Sequence, residues 1–299
     1  MSTRVRIWLV SLSVLWGGSF FFAKVALAEL QPLTVVFCRV ALAALALNIV
    51  LAVAGRPLFR AGTRWRSFAT MGLFNNLVPF GLIFWGQTQI ASGLASILNA
   101  TTPLFTLVVA HFLTKDERIG GLKLGALLVG LCGVAVLVGP SLLVAGQSTA
   151  GQLACLGAAL SYAFAGVYGR QFKIMGVAPL DAAAGQVTAS AMLILPIMLL
   201  VDRPWTLAVF PSGITWAALA GLALLSTALA YVLYFRILEV AGPTNLLLVT
   251  FLIPVTAILL GALVLDERLL PRQFAGMLLI GLALALLDER MLRNPRPAK

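Results

Sequence analysis

The sequence is poor in charged residues, histidine and cysteine. Only 10% of its 299 residues are Asp, Glu, Lys or Arg, whereas a soluble domain carries about 25%. It contains one histidine and three cysteines, and 61% of it is hydrophobic. This composition excludes a soluble enzyme, a disordered chain and a secreted disulfide scaffold. It indicates a polytopic membrane protein that lies in a lipid bilayer.

The few residues with metal or redox chemistry do not form a site. Cys38, Cys132 and Cys155 fall in different predicted helices, are odd in number and lack metal-ligand spacing, so we expect them to be small packing residues. His111 is expected to be an interfacial hydrogen-bonding residue rather than a proton carrier. The sequence therefore predicts no metal, no cofactor and no enzyme.

Acidic residues are missing from the interiors of the predicted helices. All ten lie at predicted helix ends or in loops. A buried carboxylate relay, which proton-coupled pumps commonly use, is therefore not expected. The net charge of +11 does not predict a nucleic-acid partner either, because the basic residues sit at helix ends rather than on one soluble face.

Long hydrophobic runs dominate what remains. A membrane-spanning helix needs about 20 mostly apolar residues, and two of the charge-free runs are long enough for two helices each. The expected fold is all-α, with ten transmembrane helices. The predicted spans are 5–27, 33–54, 67–86, 91–113, 120–139, 151–171, 181–201, 213–235, 242–264 and 271–289.

The basic residues predict the orientation of these spans. With a cytoplasmic N-terminus, sixteen of the 21 Lys and Arg residues fall on the inner side and four on the outer side. Arg39 is left inside a helix. Because basic residues favour cytoplasmic loops, both termini are expected to be cytoplasmic.

The second half of the chain repeats the order of marker residues in the first half. Arg39 falls on Gln186 at an offset of 147, and Phe80 falls on Tyr231 at an offset of 151. Each repeat holds five helices, an odd number, so the second repeat must enter the membrane from the opposite side. Inverted repeats with a substrate site near the midplane are typical of secondary transporters.

The N-terminus has an alternative interpretation. Arg4 and Arg6, an apolar stretch and Ala26-Leu27-Ala28 also fit a cleaved secretory signal. Since the first predicted helix has a counterpart in the sixth, we expect it to be retained.

Several segments resemble one transporter family. They are Trp16-Gly17-Gly18-Ser19-Phe20, Arg39, Pro103-Leu104-Phe105, Ile253-Pro254-Val255 and the two Asp-Glu-Arg loops. On these segments the chain resembles the drug/metabolite transporter superfamily, with two EamA-type repeats, and within it the branch that exports aromatic and other amino acids. The resemblance implies ten helices around a central cavity, export without ATP, and a bacterial inner (cytoplasmic) membrane.

The repeats also set the expected domain bounds. A first repeat covers 1–140, an external linker 141–150, a second inverted repeat 151–290 and a basic cytoplasmic tail 291–299. Glycine-spaced helices five and ten form a scaffold, and they also allow a homodimer contact.

Polar and aromatic residues at helical spacing mark the candidate substrate cavity, because polar groups facing lipid are costly. The candidates are Trp16, Ser19, Asn76, Phe80, Ser96, Asn99, Tyr162, Thr227, Tyr231, Asn245 and Thr250. For each polar candidate, an equally favoured alternative is that its side chain only forms hydrogen bonds between neighbouring helices. Trp8, Trp65, Trp205 and Trp216 are assigned to the interfacial belts.

Arg39 and three prolines are the expected gating or kink positions. Pro79, Pro103 and Pro254 can kink helices and free backbone carbonyls, although static packing is the alternative. Arg39 lies about seven residues into span two with no acid in register, and it could bind a substrate carboxylate, a helix C-terminus or a lipid phosphate. A structural or gating role is the preferred interpretation.

The expected function is alternating-access export of amino acids and related small amphiphilic metabolites. Nucleosides, quaternary amines or other drugs are alternative substrates, and a passive channel is a further alternative. An enzyme would need a clustered nucleophile and base or a metal set, and the sequence contains none. ATP-driven transport would need a partner, because no Walker-type motif is present.

Overall fold

The computed structural model describes residues 3–56, 64–114, 119–139, 147–246 and 248–287. These residues form helices and turns, and no β-strand occurs among them. The helices are α1 (Thr3–Ala26), α2 (Pro32–Val53), α3 (Trp65–Gln87), α4 (Ser92–Leu113), α5 (Gly121–Val138), α6 (Gln147–Ile174), α7 (Pro179–Val201), α8 (213–246), α9 (Leu248–Val264) and α10 (Pro271–Leu287).

The helices match the predicted spans closely. Within the described ranges, eight are long and apolar enough to cross a membrane, and α9 and α10 are shorter apolar helices. The predicted all-helical, ten-helix membrane fold is confirmed. Residues 141–146 of the predicted linker and the predicted tail 291–299 lie outside the described residues.

Three helices are interrupted, which the hydropathy pattern did not indicate. The interior of α3 is π-helical over Leu73–Leu77, and that of α8 over Gly221–Leu229. At the repeat offset of 151, residues 73–77 correspond to 224–228, so the two π segments occupy equivalent places. In α4 the helix stops at Asn99 and restarts at Thr102.

The helices pack with two-fold pseudosymmetry. Three helices contact their own counterparts in the other repeat, in the pairs α2–α7, α4–α9 and α5–α10. The remaining large contacts form equivalent couples: α1–α9 with α6–α4, α1–α8 with α6–α3, and α2–α8 with α7–α3. All of these contacts cross between the repeats, so the two halves are interlocked rather than separate bodies.

The ends of α2 and α7 show that the repeats are inverted. At the start of α2, the Thr34 backbone N–H donates to Asp202, at the end of α7, over 2.6 Å. Just past the end of α2, Arg56 pairs with Asp181 near the start of α7 over 2.8 Å. The two counterpart helices are therefore antiparallel, as the odd helix count predicted. We call the face with Arg56 and Asp181 the N-terminal face, because α1 begins there, and the face with Asp202 the opposite face.

Close backbone approach holds two of the seams together. A Cβ on Gly133 of α5 would lie 3.0 Å from the Gly276 carbonyl oxygen of α10, and one on Gly276 would lie 2.7 Å from the Gly133 oxygen. A Cβ on Gly17 of α1 would lie 2.8 Å from the Ile253 carbonyl oxygen of α9. Only glycine fits such contacts, which are typical of membrane helix packing.

Candidate functional site

Arg39 lies in the interior of the bundle, on α2. Its side chain is 6% exposed, and its Nε donates to the Thr227 Oγ1 on α8 over 3.0 Å. The guanidinium carbon stands 3.7 Å from the centroid of the Phe80 ring and 5.8 Å from that of Phe84, both on α3. A guanidinium over an aromatic face is a favourable cation–π arrangement.

The π segment of α8 shapes the acceptor for Arg39. Thr227 lies within this segment, and its hydroxyl donates to the Leu222 carbonyl oxygen, five residues earlier, over 2.9 Å. With its proton used inside the helix, the Thr227 oxygen is oriented to accept from Arg39. Single π turns inside α-helices are rare and occur frequently at functional sites.

The counterpart contact, between α7 and α3, is polar but uncharged. Asn75 Nδ2 donates to Gln186 Oε1 over 2.9 Å and lies 3.4 Å from the Tyr231 hydroxyl. Asn76 Nδ2 donates to the Ser190 hydroxyl over 3.0 Å, and Ser190 donates in turn to the Gln186 carbonyl oxygen over 2.6 Å. Asn75 and Asn76 lie in the π segment of α3. Both repeats thus present a π segment to the second helix of the other repeat.

Aromatic side chains connect the two contacts. The Tyr162 ring on α6 packs edge-on to Phe80, with centroids 6.5 Å apart. Tyr162 and Tyr231 are both close enough to Arg39 for electrostatic interaction with its charge. We call these two contacts and the rings between them the centre. It combines one cation, neutral amides and hydroxyls, and aromatic rings. This is the mixture of apolar walls and few polar groups that small-molecule sites have.

The charge of Arg39 has no counter-ion among the described residues. Its described contacts are the hydroxyl of Thr227 and the rings of Phe80 and Phe84, all of them neutral groups. The Arg39 position is about 10 Å inward from the start of α2, at 1.5 Å of rise per residue. A cation at that depth is costly in a bilayer and marks a functional site by default.

Not every predicted cavity residue lies at this centre. Asn76, Phe80, Tyr162, Thr227 and Tyr231 come together there with Arg39. Trp16 instead packs at the seam of α1, α8 and α9, with its ring 5.7 Å from that of Tyr234. Ser19 is buried in α1.

Within the described residues, no hydrogen bond or ring contact joins the α4 and α9 candidates to Arg39 or its partners. The Ser96 hydroxyl donates to the Gly93 carbonyl oxygen in its own helix over 2.7 Å. Asn99 ends the first half of α4, and its Oδ1 is buried with no hydrogen bond within the described residues. Thr250 is partly buried in α9. The side chain of Asn245 lies outside the described part of the chain.

The three prolines differ in their effect on the helices. Pro79 comes just after the π segment of α3, and Pro103 stands in the first turn of the second half of α4. Both therefore coincide with an interruption of regular α-helix. Pro254 lies inside α9, which continues as α-helix on both sides of it.

Three residues of this centre were missed by the sequence patterns. Asn75 and Ser190 were not singled out, and Gln186 was noted only as the counterpart of Arg39. Asn75 is followed by Asn76, and the spacing selected the second of the pair. A π segment has no hydropathy signature, so the pattern could not show that both amides face inward.

Carboxylates on the opposite face hold the helix starts in place. Glu29 accepts hydrogen bonds from the Ser212 backbone N–H at 2.7 Å and from the Thr215 hydroxyl at 2.8 Å, at the start of α8. Glu267 accepts from the Ser92 backbone N–H at the start of α4 over 2.8 Å. Negative charge at a helix N-terminus is favourable. The hydrogen bond from the Ser212 backbone, followed by those from the Ser212 and Thr215 hydroxyls, lowers the pKa of Glu29.

Lys24 is a basic residue on the same face, and it binds carbonyl oxygens near the end of a helix. Its Nζ donates to the carbonyl oxygens of Gln87, at the end of α3, and Ile90, at 2.5 and 2.9 Å. A cation suits the negative end of a helix dipole. Lys24, Glu29 and Glu267 therefore bind helix ends rather than the residues around Arg39.

Several proteins of similar sequence are named as transporters or efflux pumps. Over 281 residues the chain is 27% identical to the uncharacterized transporter YoaV of Bacillus subtilis, covering 93% of this chain and 94% of that one. It is 28% identical over 288 residues to a probable amino-acid metabolite efflux pump of Escherichia coli K12, covering 94% and 93%. One crystal structure shares the fold at a TM-score of 0.68 and 20% identity, over 98% of this chain and 100% of that chain.

The match to a family model covers both repeats. The model of the EamA-like transporter family matches residues 4–139 and again residues 149–287. These two matches take in the helices of both halves, including Arg39 and its counterpart Gln186. The resemblance predicted from the short motifs is confirmed: the protein is a membrane transporter that belongs to the EamA-like transporter family.

Proposed function

We propose that this transporter exports amino acids, including aromatic ones, and related small amphiphilic metabolites by alternating access. The observation that carries the proposal is the centre of Arg39, Thr227, Phe80, Tyr162 and Tyr231, which lies where the two inverted repeats cross. Rings can hold an apolar side chain, while amides and hydroxyls contact ammonium and carboxylate groups. The efflux pump of E. coli, whose name refers to amino-acid metabolites, is in keeping with this substrate class.

The packing supports alternating access as the mechanism. Each helix contact between the repeats has an equivalent with the roles of the repeats exchanged. Two near-equivalent halves can exchange conformations, which opens a central site first to one face and then to the other. Residues 1–140 and 151–290 are the two units that exchange, with 141–150 as the linker between them.

The proposed orientation identifies the two sides of the site, and the substrate gradient sets the direction of transport. By the sequence count, sixteen of the 21 basic residues belong to the termini and loops on the side where the chain begins, so the N-terminal face is cytoplasmic and both termini are inside. The site then takes substrate from the cytoplasm and releases it at the opposite face of a bacterial inner membrane. Reporter fusions at Lys299 and in the 141–149 region should give opposite signals, and equal signals would contradict this orientation.

The test is flux into liposomes that contain the purified protein. We expect saturable uptake of labelled phenylalanine that is accelerated by unlabelled phenylalanine on the far side. Flux should persist when the pH gradient and the membrane potential are both clamped at zero, because the sequence predicts no acidic residue deep inside a membrane span. Uptake that does not saturate would indicate a channel. Flux of nucleosides or quaternary amines without amino acids would replace the proposed substrate class.

Two aromatic residues of α8 provide a matched pair of variants. Tyr231 lies at the centre, whereas Trp216 is 43% exposed near the start of the helix. Tyr231→Ala should reduce the initial flux per folded protein about tenfold or more, and Trp216→Ala should leave it near the starting value. Loss of flux in Trp216→Ala with normal flux in Tyr231→Ala would show that the site is elsewhere.

A further inference from the structure

We propose that Arg39 binds the carboxylate of the transported substrate, so that the site accepts zwitterions and organic anions and excludes cations. This inference rests on the proposed transport function and narrows its substrate class. It makes Arg39 a specificity-determining residue rather than a packing or gating element.

The first argument is the missing counter-ion. An ionised group that is buried without a partner costs several kcal/mol, and buried charges are therefore paired. Every described group that faces Arg39 from α3, α6 and α8 is neutral. Arg39 therefore lacks an anionic partner among the described residues, and a substrate carboxylate supplies one.

The second argument is the free edge of the guanidinium. Nε is used by Thr227, and one face of the group lies against the Phe80 ring. Nη1 and Nη2 donate no hydrogen bond within the residues that the structure describes. The two-donor edge of a guanidinium is the edge that matches the two oxygens of a carboxylate.

The third argument is the counterpart position in the other repeat. Gln186 is 5% exposed, as buried as Arg39, and bonds to the π segment of α3 through its neutral amide. A glutamine therefore meets the packing needs of this position in the same fold. The positive charge in the first repeat is not needed for the helix contact, which leaves ligand binding as its role.

The surroundings of Arg39 fit the rest of such a substrate. The hydroxyl of Tyr162 makes no hydrogen bond among the described residues, and the Tyr162 ring packs edge-on to Phe80, the ring that lies against the Arg39 guanidinium. The Tyr162 hydroxyl is a second donor for the same carboxylate. Phe80 and Phe84 lie beside the guanidinium, and their rings suit an apolar side chain.

The experiment compares three ligands that share one benzene ring. Phenylalanine carries both charges, 3-phenylpropionate keeps only the carboxylate, and phenethylamine keeps only the ammonium. Each is tested as a competitor of labelled phenylalanine uptake in proteoliposomes with the unchanged protein. We expect phenylalanine and 3-phenylpropionate to compete and phenethylamine to compete at least about tenfold more weakly.

Variants of Arg39 then test the residue itself. Arg39→Gln, which installs the residue of the other repeat, should raise the half-inhibitory concentration of 3-phenylpropionate about tenfold or more. It should leave that of phenethylamine unchanged or lower it, since the repelling charge is gone. Arg39→Lys should keep the preference for the carboxylate at reduced affinity, because lysine retains the positive charge but lacks the two-donor edge of the guanidinium. Arg56→Gln, at the exposed end of the same helix, is the matched control, and its ligand preference should not change.

Three outcomes would overturn the proposal. Equal competition by phenethylamine and 3-phenylpropionate in the unchanged protein would exclude a carboxylate requirement, even if Arg39→Gln fails to fold. Equal weakening of all three ligands in a folded Arg39→Gln protein would assign Arg39 a structural role. Unchanged competition in that variant would remove it from the site. In each case saturable phenylalanine uptake by the unchanged protein still supports the transport function, which fails only if that uptake is absent.

Discussion

The two repeats have the same helix geometry but different chemistry where they cross. In the contact of α2 with α8, a cation meets a hydroxyl and an aromatic face, through Arg39, Thr227 and Phe80. In the equivalent contact of α7 with α3, two amides meet, through Gln186 and Asn75. The fold therefore requires a polar side chain at each crossing, and the charge is an addition in one repeat only.

This difference separates what the repeats share from what they do not. The shared parts are the π segments and the burial of one polar residue from the second helix of each repeat. In the proposed mechanism, two equivalent crossings allow the two halves to exchange conformations. One charged crossing makes the site chemically asymmetric along the transport path, because Arg39 lies nearer the opposite face and Gln186 nearer the N-terminal face.

The largest effect on the free energy of unfolding is expected from a substitution at the charged crossing, the contact of α2 with α8. Thr227→Val removes the described acceptor of the Arg39 Nε, and it should lower the free energy of unfolding by about 1.5–3 kcal/mol, since hydrogen bonds to charged groups are the stronger ones. Ser190→Ala, at the neutral crossing, should cost about 0.6 kcal/mol, as for an average hydrogen bond between membrane helices. Denaturant titration in micelles measures both.

A double-mutant cycle assigns the first effect to its partner. The charge of Arg39 is the cause if, in the Arg39→Gln protein, Thr227→Val lowers the free energy of unfolding only as much as Ser190→Ala does in the unchanged protein. Equal costs of Thr227→Val in both backgrounds would show that the loss comes from the hydrogen bond of Thr227 to Leu222 instead.

The next effect concerns how closely the crossings approach. A Cβ on Gly72 of α3 would lie 2.7 Å from the Ser190 hydroxyl oxygen and 2.8 Å from the Gln186 carbonyl oxygen. At the repeat offset, the counterpart of Gly72 is Ala223, which is buried in α8. Gly72→Ala should therefore lower the free energy of unfolding by about 1–3 kcal/mol through overpacking.

The reverse substitution is the control for backbone effects. Ala223→Gly adds chain flexibility in a helix and should cost about 1 kcal/mol. A Gly72→Ala protein that is as stable as the unchanged one would mean that α3 and α7 can separate without loss.

A smaller effect is expected where α2 and α7 meet at the two faces. Asp202→Ala removes the acceptor for the Thr34 backbone N–H and hydroxyl, at 2.6 and 2.9 Å, and should cost about 0.5–2 kcal/mol, as for a helix N-cap. Arg56→Ala removes a partly exposed ion pair with Asp181 and should cost about 0–1 kcal/mol. Salt should reduce only the Arg56 effect, and equal costs at low and high salt for both would contradict this assignment.

The smallest effect is a pH dependence at Glu29. Hydrogen bonds from Ser212 and Thr215 lower the pKa of Glu29 in the folded protein. Its contribution to stability is therefore present above the pKa of the unfolded chain and is lost as the pH falls through the lowered folded value. The melting temperatures of the unchanged protein and Glu29→Gln should differ near neutral pH and converge in acid. The equivalent position in the other repeat is Gly176, which has no side chain to titrate.

The sequence determined the helices, their number and the repeat. Hydropathy over about 20 residues is a local property, so span ends were predicted to within a few residues, apart from the start of α6, the longer end of α8 and the later start of α9. Inversion followed from an odd number of helices in each repeat, and burial of Arg39 followed from its place inside an apolar run. These features do not depend on which helices are neighbours.

The partners of the central residues were decided only by the tertiary structure. Each residue turns the side-chain direction by roughly 100° around a helix, and a π segment adds one residue to a turn. A single shift therefore changes whether Asn75 or Asn76 faces Gln186, and no periodicity in the chain records it. The contact of Arg39 with Thr227 joins residues 188 positions apart, and it exists because α2 crosses α8 of the other repeat. That crossing depends on the packing of all the helices together, which is why the sequence could mark Arg39 as unusual but could not identify its partners.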